Sequence, residues 1–269
     1  LAYYERTAAQ AEQQGNQVRA ARAWHAAGVV ALRLGRYQKA IQSSSRSIEI
    51  FKGASELTPG DVGSWTSAYS QAGSAYRMVG DLAQAQRAYE DGLALVKTRM
   101  TGPGEGRNEG YLLNGLARIA YAQRDYQTAL ARNSQAAKIY ETAQARLGPK
   151  APEHLRMNLR RWAAVSLYGT GRSELALGHP DEADAAFDKG LKYARLSGVR
   201  EVEAEILGGQ GSLALSRKDW PKAVGIYQQS ITLATQIKKT GALAILNQGL
   251  ARALAELGRT EEALAQAAP

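Results

Sequence analysis

The sequence predicts an all-α solenoid of about six antiparallel helix pairs, and three observations carry that prediction. Ala, Leu, Gln, Arg and Glu dominate a chain of 269 residues that holds only 7 Pro and 2 Phe, the balance expected of strong helix formers. The 27 glycines are placed rather than scattered, at hairpin turns or at one recurring point inside a helix. Most tellingly, one spacing recurs six times: a small residue, a turn-side residue nine positions on, and an Ala twelve positions on.

Taken in chain order, Gly28, Tyr37 and Ala40 mark the first pair, at 17–56. Gly73, Leu82 and Ala85 mark the second (61–98), and Ala117, Tyr126 and Ala129 the third (108–146). Gly171, Pro180 and Ala183 follow in the fourth (153–196), Gly211, Trp220 and Ala223 in the fifth (200–239), and Ala251, Thr260 and Ala263 in the sixth (240–268). Two antiparallel helices approach closely only where side chains are small, so a Gly or Ala is expected at each crossing, with apolar residues at three- and four-residue spacing around it. Gly35, Gly80, Gly178 and Gly258 fall where the first helices should end, as C-cap residues. Arg124 and Lys218 hold that place in the third and fifth pairs, which predicts different caps there, built on Asp125 and Asp219. Residues 1–15 read as the closing helix of a truncated unit. Neither end has the polar face of a solenoid cap, so the chain is expected to be a segment of a longer protein. Loops are expected at 57–61 (LTPGD), at 99–110 (RMTGPGEGRNEG) and at 147–153 (LGPKAPE), the last leading into a helix at about 153–177.

The residues at these positions resemble the tetratricopeptide repeat family. Trp24, Ala27, Gly28, Tyr37 and Ala40 match its pattern, as do Tyr69, Gly73, Tyr76, Ala85 and Tyr89, and Tyr126, Ala129 and Ala136. Gly171, Ala183 and Phe187 match in the fourth unit, and Gly211, Trp220, Ala223 and Tyr227 in the fifth. The resemblance covers residues 17–266, lacks the family's closing Pro throughout, and is aromatic-poor in the sixth unit. The anchors are separated by 45, 44, 54, 40 and 40 residues, against about 34 in the short form of the repeat. That length is similar to the long-helix repeats of kinesin light chain and of bacterial regulators and sensor domains. The resemblance implies a right-handed superhelix whose first helices line a concave groove that holds another protein or peptide. It projects His25, Arg77, Asn114, Arg118, Tyr121, Tyr168, Arg172 and Arg252 into that groove, together with Ser74 and Ser212. Arginine grips carboxylates with two hydrogen bonds, Asn satisfies an extended backbone, and Tyr adds rigid contact area. The set is therefore expected to favour acidic or C-terminal segments. It departs from the chaperone-binding clamp of this family, because the first unit offers His25 and Val29 where that clamp has Lys and Asn. Arg156, Arg160 and Arg161 are expected to extend the positive surface. A repeat domain of this kind serves as a scaffold or adaptor, or alternatively as the sensor of a larger protease or transcription regulator.

Charge and composition narrow the chemistry. The net charge of +9, from 34 Lys and Arg against 25 Asp and Glu, steers acidic partners. Its basic residues are interspersed with glutamates, which argues against a nucleic-acid stripe. The sequence has no Cys, hence no thiol nucleophile and no Cys-based metal site, a composition compatible with cytoplasm and periplasm alike. His25, His154 and His179 fall in separate units, and the acidic residues after His179 suit a helix start. GPGEG at 102–106 lacks the Lys and Ser/Thr of a phosphate loop, and the glycines of GTGRS (169–173) are expected to pack. No catalytic constellation, cofactor site or membrane-length apolar run is legible.

Overall fold

A computed structural model of the chain describes residues 1–99 and 105–267. Thirteen helices and no strand occur among them. The chain divides into two compact units, Leu1–Gln123 and Arg124–Pro269. The first holds α1 (Ala2–Gln13), α2 (Gln17–Arg33), α3 (Tyr37–Gly53), α4 (Pro59–Met78), α5 (Leu82–Arg99) and α6 (Glu105–Ala122). The second holds α7 (Tyr126–Ala145), α8 (Glu153–Leu177), α9 (Pro180–Ser197), α10 (Arg200–Ser216), α11 (Trp220–Gln236), α12 (Thr240–Glu256) and α13 (Thr260–Ala267). Within each unit every helix packs on its chain neighbour, and alternate helices meet as well, α2 with α4 and α8 with α10. That is the contact pattern of stacked hairpins.

The turn-side residues Tyr37, Leu82, Tyr126, Pro180, Trp220 and Thr260 each open a helix. Ala40, Ala85, Ala129, Ala183 and Ala223, three residues in, are fully buried. Five of the six turns close the same way, with an amide reaching back five residues, among them Arg36 to the Ala31 carbonyl at 2.9 Å, His179 to Glu174 at 2.9 Å and Asp219 to Ala214 at 3.0 Å. This geometry puts the residue before that amide in the left-handed region, which is why Gly35, Gly80, Gly178 and Gly258 stand there with φ of 69°, 86°, 85° and 74°. Arg124 and Lys218 do not bring different caps. They adopt the same conformation, at φ 63° and 58°; at Lys218 the five-residue hydrogen bond and the packing of α10 on α11 impose it. Asp125 and Asp219 instead cap the following helices, accepting from Thr128 N at 3.0 Å and Lys222 N at 3.2 Å.

The small anchors do more than let helices approach. A Cβ added to Gly73 would lie 2.8 Å from the Tyr89 ring, and one added to Gly115 only 2.4 Å from the same ring. Phe187 stands likewise between Gly171 (2.6 Å) and Gly209 (2.7 Å), and Tyr227 between Gly211 (2.9 Å) and Gly249 (2.4 Å). Each of these three second-helix aromatics is thus a knob held between a glycine of its own first helix and a glycine of the next first helix. Two junctions use polar plugs instead. At Gly28 the space is filled by Ser44 and Gln71, 3.4 Å apart, and at Gly169 by Asn133. The glycines of GTGRS therefore pack, one against Asn133 and the other against Phe187.

Side-chain ties reinforce the first unit. Glu12 of α1 accepts from Trp24 Nε1 of α2 at 2.5 Å and from Arg46 Nη2 of α3 at 2.6 Å. Asp61, only 1% exposed, bonds Arg22 at 2.5 Å and closes a reciprocal cap with Thr58 at the start of α4. The Arg22 guanidinium, outweighing burial, together with Thr58 holds the Asp61 carboxyl down at about 2.

Two predicted loops are shorter than expected: α4 already begins at Pro59 within the 57–61 segment, because Pro suits the first helical turn and Thr58 caps it, and the 99–110 segment is cut short as well. Residues 105–110 of the 99–110 segment are the first turns of α6, and 100–104 lie outside the described residues. Packing against α4, where Asn108 Nδ2 lies 3.8 Å from the Cβ position of Gly63, carries the helix through its two glycines. The segment before α8 is irregular as expected, and α8 spans Glu153–Leu177.

Three stability outcomes follow from this geometry. Lys218→Gly removes a strained left-handed Lys and should stabilise the chain by about 0.5–1 kcal/mol in urea unfolding. Gly249→Ala should destabilise it by about 1–2 kcal/mol, because overpacking against Tyr227 outweighs the helix-propensity gain. Asp61 has a folded pKa below its unfolded value of about 3.9, so its pair stabilises above that value and the contribution is lost as pH falls from about 4 to about 2. The stability difference between wild type and Asp61→Asn should accordingly be about 2 kcal/mol near neutrality and shrink toward zero in that window.

Candidate functional site

The residues one, four and three positions from each anchor sit on the first helices, and their surroundings differ between the two units. In the first unit the Tyr89 hydroxyl of α5 meets Ser74 Oγ of α4 at 3.0 Å. Burial pushes the Tyr89 phenol up, while Ser74, Arg77 and Arg118 oppose that shift. The two guanidinium groups, from α4 and α6, therefore act on one buried hydroxyl. Arg118 is exposed. Arg77 is half-buried, its Nη2 reaches Met78 Sδ at 3.5 Å, and its Nε is sealed from solvent with no hydrogen-bond partner among the described residues. Neither arginine has an acidic partner among the described residues, whereas Arg22, Arg46 and Arg217 are all paired. This part of α4 and α6 is accordingly a positive face around a Tyr–Ser pair.

The other first-unit candidates contribute differently. Asn114 is 5% exposed, packed into the helix layer instead of offered to a ligand. Tyr121 is half-buried one turn beyond Arg118. His25 on α2 is partly buried, and its Nε2 is sealed with no partner among the described residues. Burial lowers its pKa, so it adds no cation near neutral pH.

In the second unit the Arg172 guanidinium lies 5.5 Å from the Tyr168 ring centroid, and Tyr168 packs at 6.3 Å on Phe187. Arg252 is exposed on α12 and acts on the hydroxyl of Tyr227, which meets Ser212 Oγ at 2.9 Å. Ser74 and Ser212, projected as groove residues, thus have structural partners. What reading the sequence missed is that the tyrosine hydroxyls come from the second helices. The signal was there: Tyr89 and Tyr227 each follow the anchor by sixteen residues, and a Ser stands just after each of those anchors. Where the ring is Phe187, that place is Arg172, and no hydroxyl pair is needed.

Two further expectations change. Arg156 and Arg160 do not extend a free positive surface. Arg156 donates to the carbonyls of Gly148 at 2.6 Å and Pro149 at 3.2 Å, and Arg160 pairs with Glu153 at 3.1 Å. Arg156 thus holds the irregular segment against α8, Arg160 is tied within α8, and Arg161 lies 5.3 Å from the Trp162 ring centroid. Around His179, Asp181 and Asp184 are taken by Arg217 at 2.6 and 2.5 Å, and His179 Nδ1 meets Glu174 at 2.8 Å. Among the described residues no group of three His, Cys, Asp or Glu side chains is placed to hold a metal, and no helix is long and apolar enough to cross a membrane.

Comparison with known proteins matches the tetratricopeptide repeat family at residues 1–55 and 168–236. No curated protein matches the sequence. Among solved structures, the apo form of RapI is similar at 10% identity over 98% of this chain and 94% of that one, with a TM-score of 0.70. A signal transduction ATPase with numerous domains from Pyrococcus horikoshii, which has a tetratricopeptide repeat sensor, is similar at 15% identity and TM-score 0.63, over 98% of this chain but 39% of that one. The Rap conjugation gene regulator of plasmid pLS20, solved with the Phr* peptide, is similar at 13% identity over 94% of this chain and 72% of that one, with a TM-score of 0.59. The chain has the tetratricopeptide repeat fold in the form seen in kinesin-light-chain-like repeats and in regulator and sensor domains, at modest sequence identity.

Proposed function

We propose that this chain is a sensor or regulatory repeat domain that binds a protein or peptide segment on its first-helix face and carries no reaction of its own. The observation that carries the reading is the positive face of the first unit. Arg77 and Arg118 act on one buried Tyr89–Ser74 hydroxyl pair and lack acidic partners among the described residues. A face of this kind favours an acidic or carboxylate-bearing segment over a neutral one. The regulatory role is supported by the company the fold keeps: a repeat sensor within a longer ATPase, and a conjugation regulator with a bound peptide. The chain spans 39% of that ATPase, so the effector it would control is part of the proposal. A plain adaptor is the competing role for the same face.

Fluorescence anisotropy with acidic peptides tests the binding. Arg118→Ala should weaken it by about tenfold, the value of one charged hydrogen bond. Arg172→Ala reports whether the second unit shares the ligand. Affinity for acidic peptides that Arg118→Ala leaves unchanged would sink the first-unit face. Hydrogen exchange separates the two roles: a sensor gains protection in helices away from the contact, an adaptor only at it.

A further inference from the structure

We propose a second, independent recognition site in the second unit, a cleft along α10 and α11 that takes an extended, largely uncharged polypeptide segment by its main chain. The cleft has a volume of about 570 Å³. Its floor is apolar, made by Leu207 and Leu233, and its α11 wall presents Gln228, Gln229, Thr232 and Gln236. Carboxamides both donate and accept, which matches the alternating N–H and C=O of a peptide backbone. Among the described residues neither Gln228 nor Gln229 has a side-chain hydrogen-bond partner, while Gln236 accepts from Arg200 Nη2 at 2.5 Å. From Gln229 to Gln236 is about 10 Å along a helix, the reach of about three extended residues.

Gly225, which lines the same cleft, is the second observation. A glycine inside a helix costs about 1 kcal/mol relative to Ala, and the other helix-interior glycines beside knobs have a ring to accommodate. Gly225 has nothing within 4 Å of where its Cβ would be, and it is not among the residues of positive φ. Neither packing nor backbone conformation calls for it. A side chain there would project into the cleft, so the glycine keeps the α11 wall low. The charges at the rim are mostly neutralised in place, with Arg195 bonded to Glu203 at 2.9 Å. Arg200 remains as the one uncompensated charge of the lining, which places a single acidic residue of the ligand beside it. A small apolar side chain on the opposite face of the strand meets Leu207 and Leu233.

The test uses an array of heptapeptides alternating Val or Ala with Thr or Gln, with one Asp scanned along the length. Acetylated and amidated ends remove the terminal carboxylate, and the parent peptides without Asp carry no carboxylate at all, so their binding is separate from a carboxylate grip on the first unit. Capped peptides should bind, and binding should fall at least tenfold in Gly225→Leu, a substitution that raises helix propensity and should not lower the unfolding temperature. The pair Gln228→Ala and Gln229→Ala should weaken binding without filling the cleft, and N-methylation of alternate peptide amides should abolish it. Arg118→Ala should leave it unchanged. Capped peptides that do not bind above a proline-substituted control would overturn the proposal, as would binding that survives Gly225→Leu.

Discussion

An aromatic ring held between two glycines is the constraint on which the stacking depends. Tyr89, Phe187 and Tyr227 each press on a glycine of their own first helix and on a glycine of the following one. A single side chain therefore sets the spacing within a hairpin and between hairpins. The ring buries a large apolar area, and the helices can close over it only because neither opposing position carries a Cβ. The cost of glycine inside those helices is offset by that contact, and the same contact fixes the register, since sliding either helix by a residue would drive a side chain into the ring.

Where the knob is replaced, the junction changes character. Ser44 with Gln71 and Asn133 against Gly169 fill the same space with polar groups. Around the first of these, Ser43, Ser44, Ser47, Thr66, Ser70 and Gln71 are buried. Ser47 Oγ donates to the Ala21 carbonyl at 2.8 Å, as Ser230 Oγ does to Ala204 at 2.8 Å. In the first unit a polar junction precedes the ring of Tyr89, and in the second a polar junction precedes the rings of Phe187 and Tyr227; hydrogen bonds, unlike ring contacts, are directional and require each donor to be matched. The tie from Arg22 to Asp61 joins α2 to α4 across the polar junction.

The same device organises the surface. A tyrosine knob carries its hydroxyl to the first-helix face, where Ser74 or Ser212 receives it, and arginines one helix away act on that hydroxyl. Phe187 leaves that place to Arg172, which packs on Tyr168 instead. In these three repeats the side chains on the first-helix face are in this way coupled to the residue that seals the core. The α10–α11 cleft stands apart from this logic, since Gly225 faces no ring.

Much of the fold was legible in the chain. A spacing of nine and twelve residues placed the start of every second helix, because a turn of fixed geometry and a buried Ala tolerate few residue types. The turn glycines were legible for the same reason. Local rules did not extend to Arg124 and Lys218, which hold a left-handed backbone that their side chains disfavour; at Lys218 the packing of α10 on α11 imposes it. Nor did they extend to residues 105–110, where contact with α4 overrides the glycines. The site residues were readable as positions on a helix face but not as an environment. Asn114 and His25 share the spacing of exposed groove residues, yet burial closes off the first and keeps the second neutral. Arg156 and Arg160 are indistinguishable in sequence from free cations, yet the first is spent on a neighbouring segment and the second on Glu153 of its own helix. Periodicity reports which way a side chain leaves its own helix. What it meets there is decided by the next helix, whose distance and register are set by the ring-in-glycine contacts between hairpins.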